Sequence, residues 1–336
     1  GPGCGIVPPD PCEAAEGDTA CDRPPPPQIV RPEAGAYLAN QAAAVSLFQH
    51  RLQDRNGADG MGEVRGAGWL RVSSSQTRQD VAGQLALTGR ATVLMGGLDV
   101  LHWGGASQGS AGVLLAAGQA STDVRSRLSG YAATGTVKGG ALGIYATWLQ
   151  RPGDGTGAYA DGWVQHGRYR NTVQGIGLAK ERQDAQTQAA SVETGYAWAM
   201  RMRSGTQLMV QPQLQLTYTD YRADRITEHN GTQVAVGAAG GLSSRLGVRL
   251  SGDVRTEERR VQPFVAAHWL HEGGGNRIWM DDALIEGAVP KNRYEVRGGA
   301  MLQLGTRWSA WGDLGLQRGD AGYRSVSAQL GLNARW

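Results

Sequence analysis

The chain has 336 residues, of which 40% are hydrophobic and 19% are charged, and its formal net charge is +3. No stretch reaches the ~20 apolar residues that a spanning helix needs, which excludes a bundle of membrane helices. The charge follows no basic run, which excludes the electrostatic footprint of a nucleic-acid-binding protein. The 51 Gly, 10 Trp and 10 Tyr beside 2 Phe suit twisted strands with rings at two membrane interfaces; a secreted glycine-rich β-sandwich or solenoid is the alternative.

Residues 1–30 hold 8 of the 13 prolines and no apolar periodicity, which predicts an extended linker. All three cysteines, Cys4, Cys12 and Cys21, lie in this segment. An extracytoplasmic compartment favours a disulfide between Cys12 and Cys21, and a metal site is disfavoured because no histidine lies nearby. The start has neither the basic nor the apolar region of a signal peptide, so we expect a fragment of a longer precursor.

One helix is predicted next, from Pro32 in a first-turn position to Arg55, with Gly57 beyond its end. About 23 residues at 1.5 Å rise span roughly 34 Å, which is comparable to a bilayer. The helix is too polar for lipid and suits a polar channel, although a helix packed outside a sheet has the same periodicity. Its thin apolar stripe and flanking residues are Tyr37, Leu38, Gln41, Val45, Phe48 and Leu52.

Twelve strand-like segments follow. Their approximate bounds are residues 64–75, 88–103, 109–122, 137–151, 157–172, 186–201, 206–221, 234–250, 259–270, 293–304, 307–317 and 322–336. These lengths exceed the ~5–6 residues of ordinary strands and suit strands that cross a membrane at a tilt. In the seventh segment Leu214 and Leu216 alternate with Gln213 and Gln215, and such a face of glutamines cannot lie against lipid.

The last segment alternates apolar and polar residues up to the end of the chain. Leu330, Leu332 and Trp336 fall on one face, while Gln329 and Asn333 fall on the other. A strand with two such faces needs an apolar environment on one side and a polar one on the other. A closed barrel in a lipid bilayer supplies both.

The predicted connections alternate in length. Those after the first, third, fifth, seventh and ninth segments read as long, and those after the even segments read as short. Outer-membrane barrels have long extracellular loops and short periplasmic turns, and an even strand number leaves both barrel ends on the periplasmic side. The pattern therefore indicates a twelve-stranded antiparallel transmembrane β-barrel; the hairpin near Gly319 is short where a long loop is expected.

A series of strings, in order, carries a resemblance to a known family. They are RPEAGAYLANQAAAVSLFQHRLQDR, GWLRV, YADGWVQHGRYRNTVQG, SVETGYAW, VQPQLQLTY, HNGTQV, SRLGVRL and VQPFVAAHWL, followed by a closing aromatic residue. Together they resemble the translocator (C-terminal β-barrel) domain of autotransporters, the type V secretion proteins of Gram-negative bacteria. The resemblance covers residues 31–336 and implies a twelve-stranded barrel in the outer membrane with an N-terminal α-helix in its lumen.

The resemblance also implies a domain plan and partners. Residues 1–30 would end a passenger, 31–57 would span the pore and 58–336 would form the barrel. The expected partners are the chain's own passenger, outer-membrane lipid, the barrel-assembly machinery and periplasmic chaperones, with the barrel as a monomer. Leu330, Leu332 and Trp336 would belong to the signal that the assembly machinery reads. The predicted function is export of the passenger to the cell surface; the alternatives are a general porin, or a membrane anchor of a surface adhesin or virulence factor.

The sequence shows no nucleophilic triad, P-loop or zinc motif, so we expect no enzyme, cofactor or metal site. Some members of the family cut their passenger inside the barrel, which makes Asn40 a self-cleavage candidate, with Asp99, Asp161 and Glu193 as carboxylates that could polarise the reaction. The favoured interpretation is that the Asn40 amide hydrogen-bonds the barrel wall and that the carboxylates pair with arginines in the lumen.

Overall fold

The computed structural model describes residues 29–56, 67–202, 207–255, 260–287 and 289–335. Two helices are present in these ranges, α1 Pro32–Ser46 and α2 Leu52–Asn56. Twelve long strands follow: β1 Ala67–Val81, β2 Leu85–Gly104, β3 Gln108–Ser126, β4 Ala132–Arg151, β5 Thr156–Gly175, β6 Glu181–Arg201, β7 Gln207–Ala223, β9 Gln233–Gly252, β11 Arg260–Glu272, β14 Asn292–Leu304, β15 Trp308–Gly319 and β16 Arg324–Arg335. Four short strands complete the set: β8 Ile226–Thr227, β10 Val254–Arg255, β12 Gly275–Met280 and β13 Ala283–Glu286.

The twelve long strands close into one antiparallel barrel. Each pairs with its neighbours in the chain, and β16 pairs back onto β1 in a register that runs from Ala67 opposite Arg335 to Arg78 opposite Arg324. Closure leaves none of these long strands with an unpaired backbone edge, which is the condition for a sheet to span a membrane. The predicted fold class, a twelve-stranded barrel with an N-terminal helix, is confirmed.

Alternation along each strand sorts the side chains between two environments. On β7, Gln213 and Gln215 are buried inside the barrel, whereas Leu214 and Leu216 are exposed on its outer surface. On β16, Leu330 is 65% exposed. The outer surface is therefore apolar and the lumen polar, the reverse of a water-soluble barrel. Trp336 lies outside the described residues.

The predicted alternation of loop lengths holds only in part. Long connections follow β7, at residues 224–232, and β11, at residues 273–291, but those after β1, β3 and β5 are tight. β1 and β2 continue as a paired ladder to Val81 and Leu85. Their outward residues are polar there, so the apolar and polar alternation that marks a strand in the sequence stops while the backbone pairing continues.

The long connection after β11 contains a hairpin of β12 and β13. β12 pairs with the first part of β9, whereas β11 pairs with the second part, so the wall forks at this point. Gly240 and Gly241 lie at the fork with φ of +72° and +122°, values that favour glycine. We call this end of the barrel, which also holds the turns 82–84 and 320–323, the distal rim. The opposite end, where β1 begins and β16 ends, is the terminal rim.

The predicted continuous helix from Pro32 to Arg55 is interrupted in the structure. α1 ends at Ser46, residues 47–51 form a linking segment, and α2 begins at Leu52. Both helices lie in the barrel lumen, α1 toward the distal rim and α2 toward the terminal rim. Within the described ranges, no helix has the length and apolar character needed to cross a membrane.

Candidate functional site

α1 packs against the inner wall through small residues. At Gly135 of β4, an added Cβ would lie 2.7 Å from Asn40 Oδ1 and 2.8 Å from the Ala36 carbonyl oxygen. Only glycine admits the helix at this distance, because Cβ contacts under 3.0 Å require a neighbour to move. The Asn40 amide nitrogen donates to the carbonyl oxygen of Thr172 on β5 at 2.9 Å. Asn40 therefore connects the helix to the barrel wall.

The start of α1 is held at the distal rim by charge. Arg31 forms ion pairs with Glu33 at 3.3 Å and with Glu228, in the long connection after β7, at 3.2 Å. The Tyr37 hydroxyl donates to the other carboxylate oxygen of Glu228 at 3.1 Å. Glu33 in the first turn also complements the positive end of the helix dipole.

The hairpin of β12 and β13 holds the opposite side of α1. The side-chain nitrogen of Gln41 donates to Asn276 Oδ1 at 2.8 Å and to the Ala238 carbonyl at 2.6 Å. Asn276 in turn donates to the Leu38 carbonyl at 3.2 Å. Ile278 packs with Leu38 in one buried apolar cluster. The hairpin thus packs against α1 on the side away from its contacts with β4 and β5.

Residues 47–51 are not helical, because side chains of the barrel wall donate hydrogen bonds to carbonyl groups that a continuous helix would use for its own hydrogen bonds. The His50 carbonyl accepts hydrogen bonds from Trp163 Nε1 at 3.1 Å and from Gln215 Nε2 at 2.9 Å. The Phe48 carbonyl accepts from Gln165 at 3.2 Å. The His50 ring stacks on Trp163 with centroids 4.6 Å apart. These bonds replace the helical ones, and they come from strands that local sequence cannot reveal.

The first turn of α2 is capped by carboxylates. The Leu52 amide donates to Glu193 of β6 at 3.2 Å, and the Arg51 amide donates to Asp54 at 2.9 Å. The first N–H groups of a helix have no partner within it, so an acidic acceptor at that end both satisfies them and complements the dipole. Glu193 is itself paired with Arg245 of β9 at 3.1 Å.

Ion pairs connect α2 and the residue before it to three separate strands. Arg51 pairs with Glu295 of β14 at 2.9 Å, and Asp54 pairs with Arg71 of β1 at 3.3 Å. Arg55 pairs with Asp161 of β5, and both side chains are 1% exposed. Buried charges are tolerated only when paired, so each of these contacts depends on its partner. We call this set, Arg51, Asp54 and Arg55 with their wall partners Glu295, Arg71 and Asp161, the charge clamp.

A cavity of about 420 Å³ remains beside the helix. Its lining on β1 and β16 is rich in hydroxyl groups, including Ser73, Ser75, Ser325 and Ser327. The helices therefore obstruct the lumen without filling it. Among the described residues, no three His, Cys, Asp or Glu side chains converge to hold a metal ion.

The predicted site residues fall into separate places. Asp161 and Glu193 are register partners at α2, whereas Asn40 contacts Thr172, which lies about 36 Å farther along β5 at ~3.3 Å per residue. Asp99 accepts a hydrogen bond from the Tyr145 hydroxyl at 2.7 Å. The structure thus brings none of the three carboxylates to Asn40. Cys12 and Cys21 lie outside the described residues.

The helix residues named from the sequence all face the lumen wall. Tyr37, Leu38, Gln41, Phe48 and Leu52 are buried and Val45 is half-buried. Of the charge clamp, sequence reasoning named only Asp161 as a carboxylate that pairs with a lumen arginine. A signal for two more wall residues existed: Arg71 stands between Leu70 and Val72, and Glu295 between Tyr294 and Val296. A charge flanked by outward apolar residues on a barrel strand points into the lumen.

The chain is similar to known proteins over most of its length. A family model described as "Autotransporter beta-domain" matches residues 68–315. Uncharacterized protein YdeU of Escherichia coli (strain K12) is 31% identical over 351 residues, which cover 99% of this chain and 75% of that protein. Uncharacterized protein YuaQ of the same strain is 34% identical, and Autotransporter adhesin AIDA-I of Escherichia coli is 27% identical. Each of these two alignments covers 90% of this chain but only 24% and 25% of the relative, so the chain spans about a quarter of their length.

Solved structures match the barrel as a whole. The transport unit of the autotransporter AIDA-I from Escherichia coli superposes with a TM-score of 0.84 at 24% identity, covering 92% of this chain and all of that one. The translocator domain of autotransporter NalP from Neisseria meningitidis gives a TM-score of 0.63 at 15% identity, over 90% of this chain and all of that one. At these identities the likeness concerns the fold.

Proposed function

The chain belongs to the autotransporter β-domain family, and from that premise we propose that it is an outer-membrane translocator domain that exports its own N-terminal passenger. One observation carries the proposal. β1 begins and β16 ends at the terminal rim, whereas Val30 lies at the distal rim, where its N–H donates to the side-chain oxygen of Gln84 at 3.0 Å. The described chain from Val30 to Asn56 therefore runs through the lumen from the distal rim toward the terminal rim. We infer that a passenger attached before Val30 would lie on the opposite side of the membrane from the strand termini.

The distal rim is assigned to the cell exterior. Both ends of an even-stranded outer-membrane barrel lie on the periplasmic side, which matches the terminal rim. The passenger would then pass through or beside the lumen as an extended hairpin and remain at the cell surface. After export, α1 and α2 stay in place as a plug. The domain plan predicted from the sequence, residues 31–57 in the pore and 58–336 in the wall, is kept as part of this proposal.

The proposed partners follow from the barrel's surfaces. The outward apolar faces require outer-membrane lipid. The end of β16 presents Leu330 and Leu332 outward, at 65% and 45% exposure, and together with Trp336 we assign them to the signal read by the barrel-assembly machinery. Delivery to that machinery requires periplasmic chaperones, because strands with one apolar face are aggregation-prone before closure. A closed barrel needs no second copy, so we propose a monomer.

We assign Asn40 a role in seating the helix and none in cutting the passenger. Its amide nitrogen is engaged by the Thr172 carbonyl at 2.9 Å. Cleavage by an asparagine side chain needs that nitrogen to be free to attack a neighbouring carbonyl, and carboxylates nearby to polarise the reaction. The three candidate carboxylates are held by Tyr145, Arg55 and Arg245 elsewhere in the lumen.

Protease accessibility on whole cells tests the topology. An epitope would be fused before Gly1 behind a secretion signal, and two matched insertions would be made in wall turns, one at residues 127–131 of the distal rim and one at 152–155 of the terminal rim. We expect external protease to remove the N-terminal epitope and the distal insertion, while the terminal insertion is cut only after the outer membrane is permeabilised. An N-terminal epitope that is protected on intact cells while the distal insertion is cut would contradict export.

A further inference from the structure

Three arginines stand side by side on the outer surface of the barrel near the distal rim. Arg318 of β15 is the register partner of Arg324 of β16, and Arg324 is in turn the partner of Arg78 of β1. All three are exposed. Directly opposed residues on antiparallel strands point to the same side, with Cβ atoms about 4.5–5.5 Å apart. We call Arg78, Arg318 and Arg324 the arginine row.

The arginine row borders the apolar band of the wall. One outward position closer to the barrel's middle, Leu316 and Val326 are register partners with 59% and 56% of their surface exposed. The row continues sideways into aromatic residues, because Tyr294 of β14 is opposite Arg318 and Trp269 of β11 is opposite Tyr294. Exposed Tyr and Trp side chains favour the membrane interface. The row therefore stands at the level where lipid chains end and headgroups begin.

The positive charge of the row has no ion-pair partner among the described residues. Like charges directly opposite each other on neighbouring strands are destabilising. The carboxylates nearest to the row in sequence are engaged elsewhere: Asp80 of β1 pairs with Arg127 at 2.6 Å, and Asp320, in the turn after β15, accepts the Asn292 amide at 3.1 Å. An anion from outside the chain is what would neutralise the row.

Two other outward arginines of the distal half do have a counter-charge. Arg170 of β5 lies 3.7 Å from Asp184, and Arg222 of β7 lies 3.0 Å from Asp220. These four side chains are exposed, and each arginine has a carboxylate of its own chain beside it. Arg170 and Arg222 therefore serve as a comparison for the arginine row. They are also exposed arginines, but each has a counter-charge.

We propose that the arginine row binds the phosphorylated headgroup of a lipid in the outer leaflet. The planar guanidinium fork suits bidentate hydrogen bonding to phosphate. A lipid bound there would lay its acyl chains along Leu316 and Val326 and bring its phosphate to the three arginines. The inference rests on two parts of the proposed function, the apolar band in lipid and the distal rim at the cell exterior, and it does not require passenger export.

Lipid binding by the refolded full chain in non-ionic detergent tests the proposal. The probes are short-chain phosphatidic acid, the matching diacylglycerol, and inorganic phosphate, with bound lipid counted by native mass spectrometry. The row variant is Arg318→Gln with Arg324→Gln, and the matched control is Arg170→Gln with Arg222→Gln. Heat-dependent gel migration establishes that each variant has folded.

We expect phosphatidic acid to bind much more tightly than diacylglycerol. The row variant should weaken that binding roughly 30-fold, at about fivefold per arginine near a charged lipid surface, while the control changes it less than about twofold. Lysine at both row positions should restore only part of the affinity, because an ammonium group keeps the charge but lacks the bidentate fork. Equal loss in the two variants, equal binding of diacylglycerol, or inorganic phosphate binding as tightly as the lipid would each overturn the proposal. Because export is read by protease accessibility on cells, the two proposals can fail separately.

Discussion

Single residues of the wall decide how closely the helix can approach it. Gly135 marks the tightest point seen between α1 and β4, since its missing side chain is what leaves room for Asn40 and the Ala36 carbonyl. Two other wall residues, Trp163 and Gln215, donate hydrogen bonds to the carbonyl of His50 in the linking segment, and α1 ends before that residue. Neither effect shows in the local sequence, where Gly135 is a strand glycine and His50 a helix-compatible histidine.

Substitution of Gly135 by alanine should displace the helix. The new methyl group would meet two oxygen atoms at under 3.0 Å, and overpacking of this kind typically destabilises by about 1–3 kcal/mol. We expect the barrel to lose its heat-resistant gel migration at a lower temperature. Gly105→Ala is the control, because nothing lies within 4 Å of a Cβ at that position. Equal effects of the two changes would show that the close approach does not matter.

Asn40→Ala should weaken the attachment of α1 to the barrel wall without altering proteolytic processing of the chain. The lost hydrogen bond to Thr172 is worth about 1 kcal/mol. Intact mass of the protein recovered from outer membranes should show the same N-terminus as the parent. If the parent is processed within α1 and the variant is not, Asn40 acts in cleavage and the seating role assigned to it is wrong.

At the scale of elements, the charge clamp makes α2 depend on the barrel. A helix of five residues is not stable alone, since nucleation dominates at this length. Its amides and charges are satisfied by β1, β5, β6 and β14, so it forms only where those strands have already closed. The helix therefore belongs to the last step of assembly, which fits a plug that settles after the passenger has passed.

Removing one partner of a clamp pair should lower the free energy of unfolding more than removing both partners. Arg55→Met leaves Asp161 buried without its cation, a change that typically destabilises by about 3–5 kcal/mol. Adding Asp161→Leu should recover most of that loss, because two apolar side chains of similar size replace the pair. Equilibrium unfolding in urea, followed by gel migration, measures both variants. If the double variant is no more stable than Arg55→Met alone, the view that Arg55 and Asp161 form a buried pair whose members depend on each other would be wrong.

At the scale of the whole molecule, the helix and the barrel form one obstructed pore. The open space beside the helix is about 420 Å³, whereas a diffusion porin has an aqueous channel along its whole length. The lumen therefore favours translocation followed by plugging over general diffusion. Because the lining is polar, removal of the helix would leave a surface that water can fill.

Deletion of residues 33–55 should open the barrel. We expect single-channel conductance in planar bilayers to rise several-fold, and the barrel to unfold at a lower temperature, since the wall partners of the clamp lose their counter-charges. The Gly105→Ala variant should conduct like the parent. Unchanged conductance after the deletion would mean that the helix is not the plug.

Sequence reasoning predicted the barrel better than its contents. The alternation of Leu214 and Leu216 with Gln213 and Gln215 is local, so strand number and strand faces could be inferred from it. The helix break at residues 47–51 could not, because the donors that cause it lie on β5 and β7. Loop lengths failed at the distal rim for a related reason: pairing continues there after the apolar signal has ended.

The sequence by itself determined that the wall is a two-faced, twelve-stranded barrel and that a helix precedes its first strand. Both follow from periodicity, which is a property of neighbouring residues. Only the tertiary structure decided where the helix breaks, which charges clamp it, and that three arginines meet on the outer surface. These depend on register, and register joins Arg78 to Arg324 across nearly the whole chain. No local pattern carries that pairing, because closure of the barrel creates it.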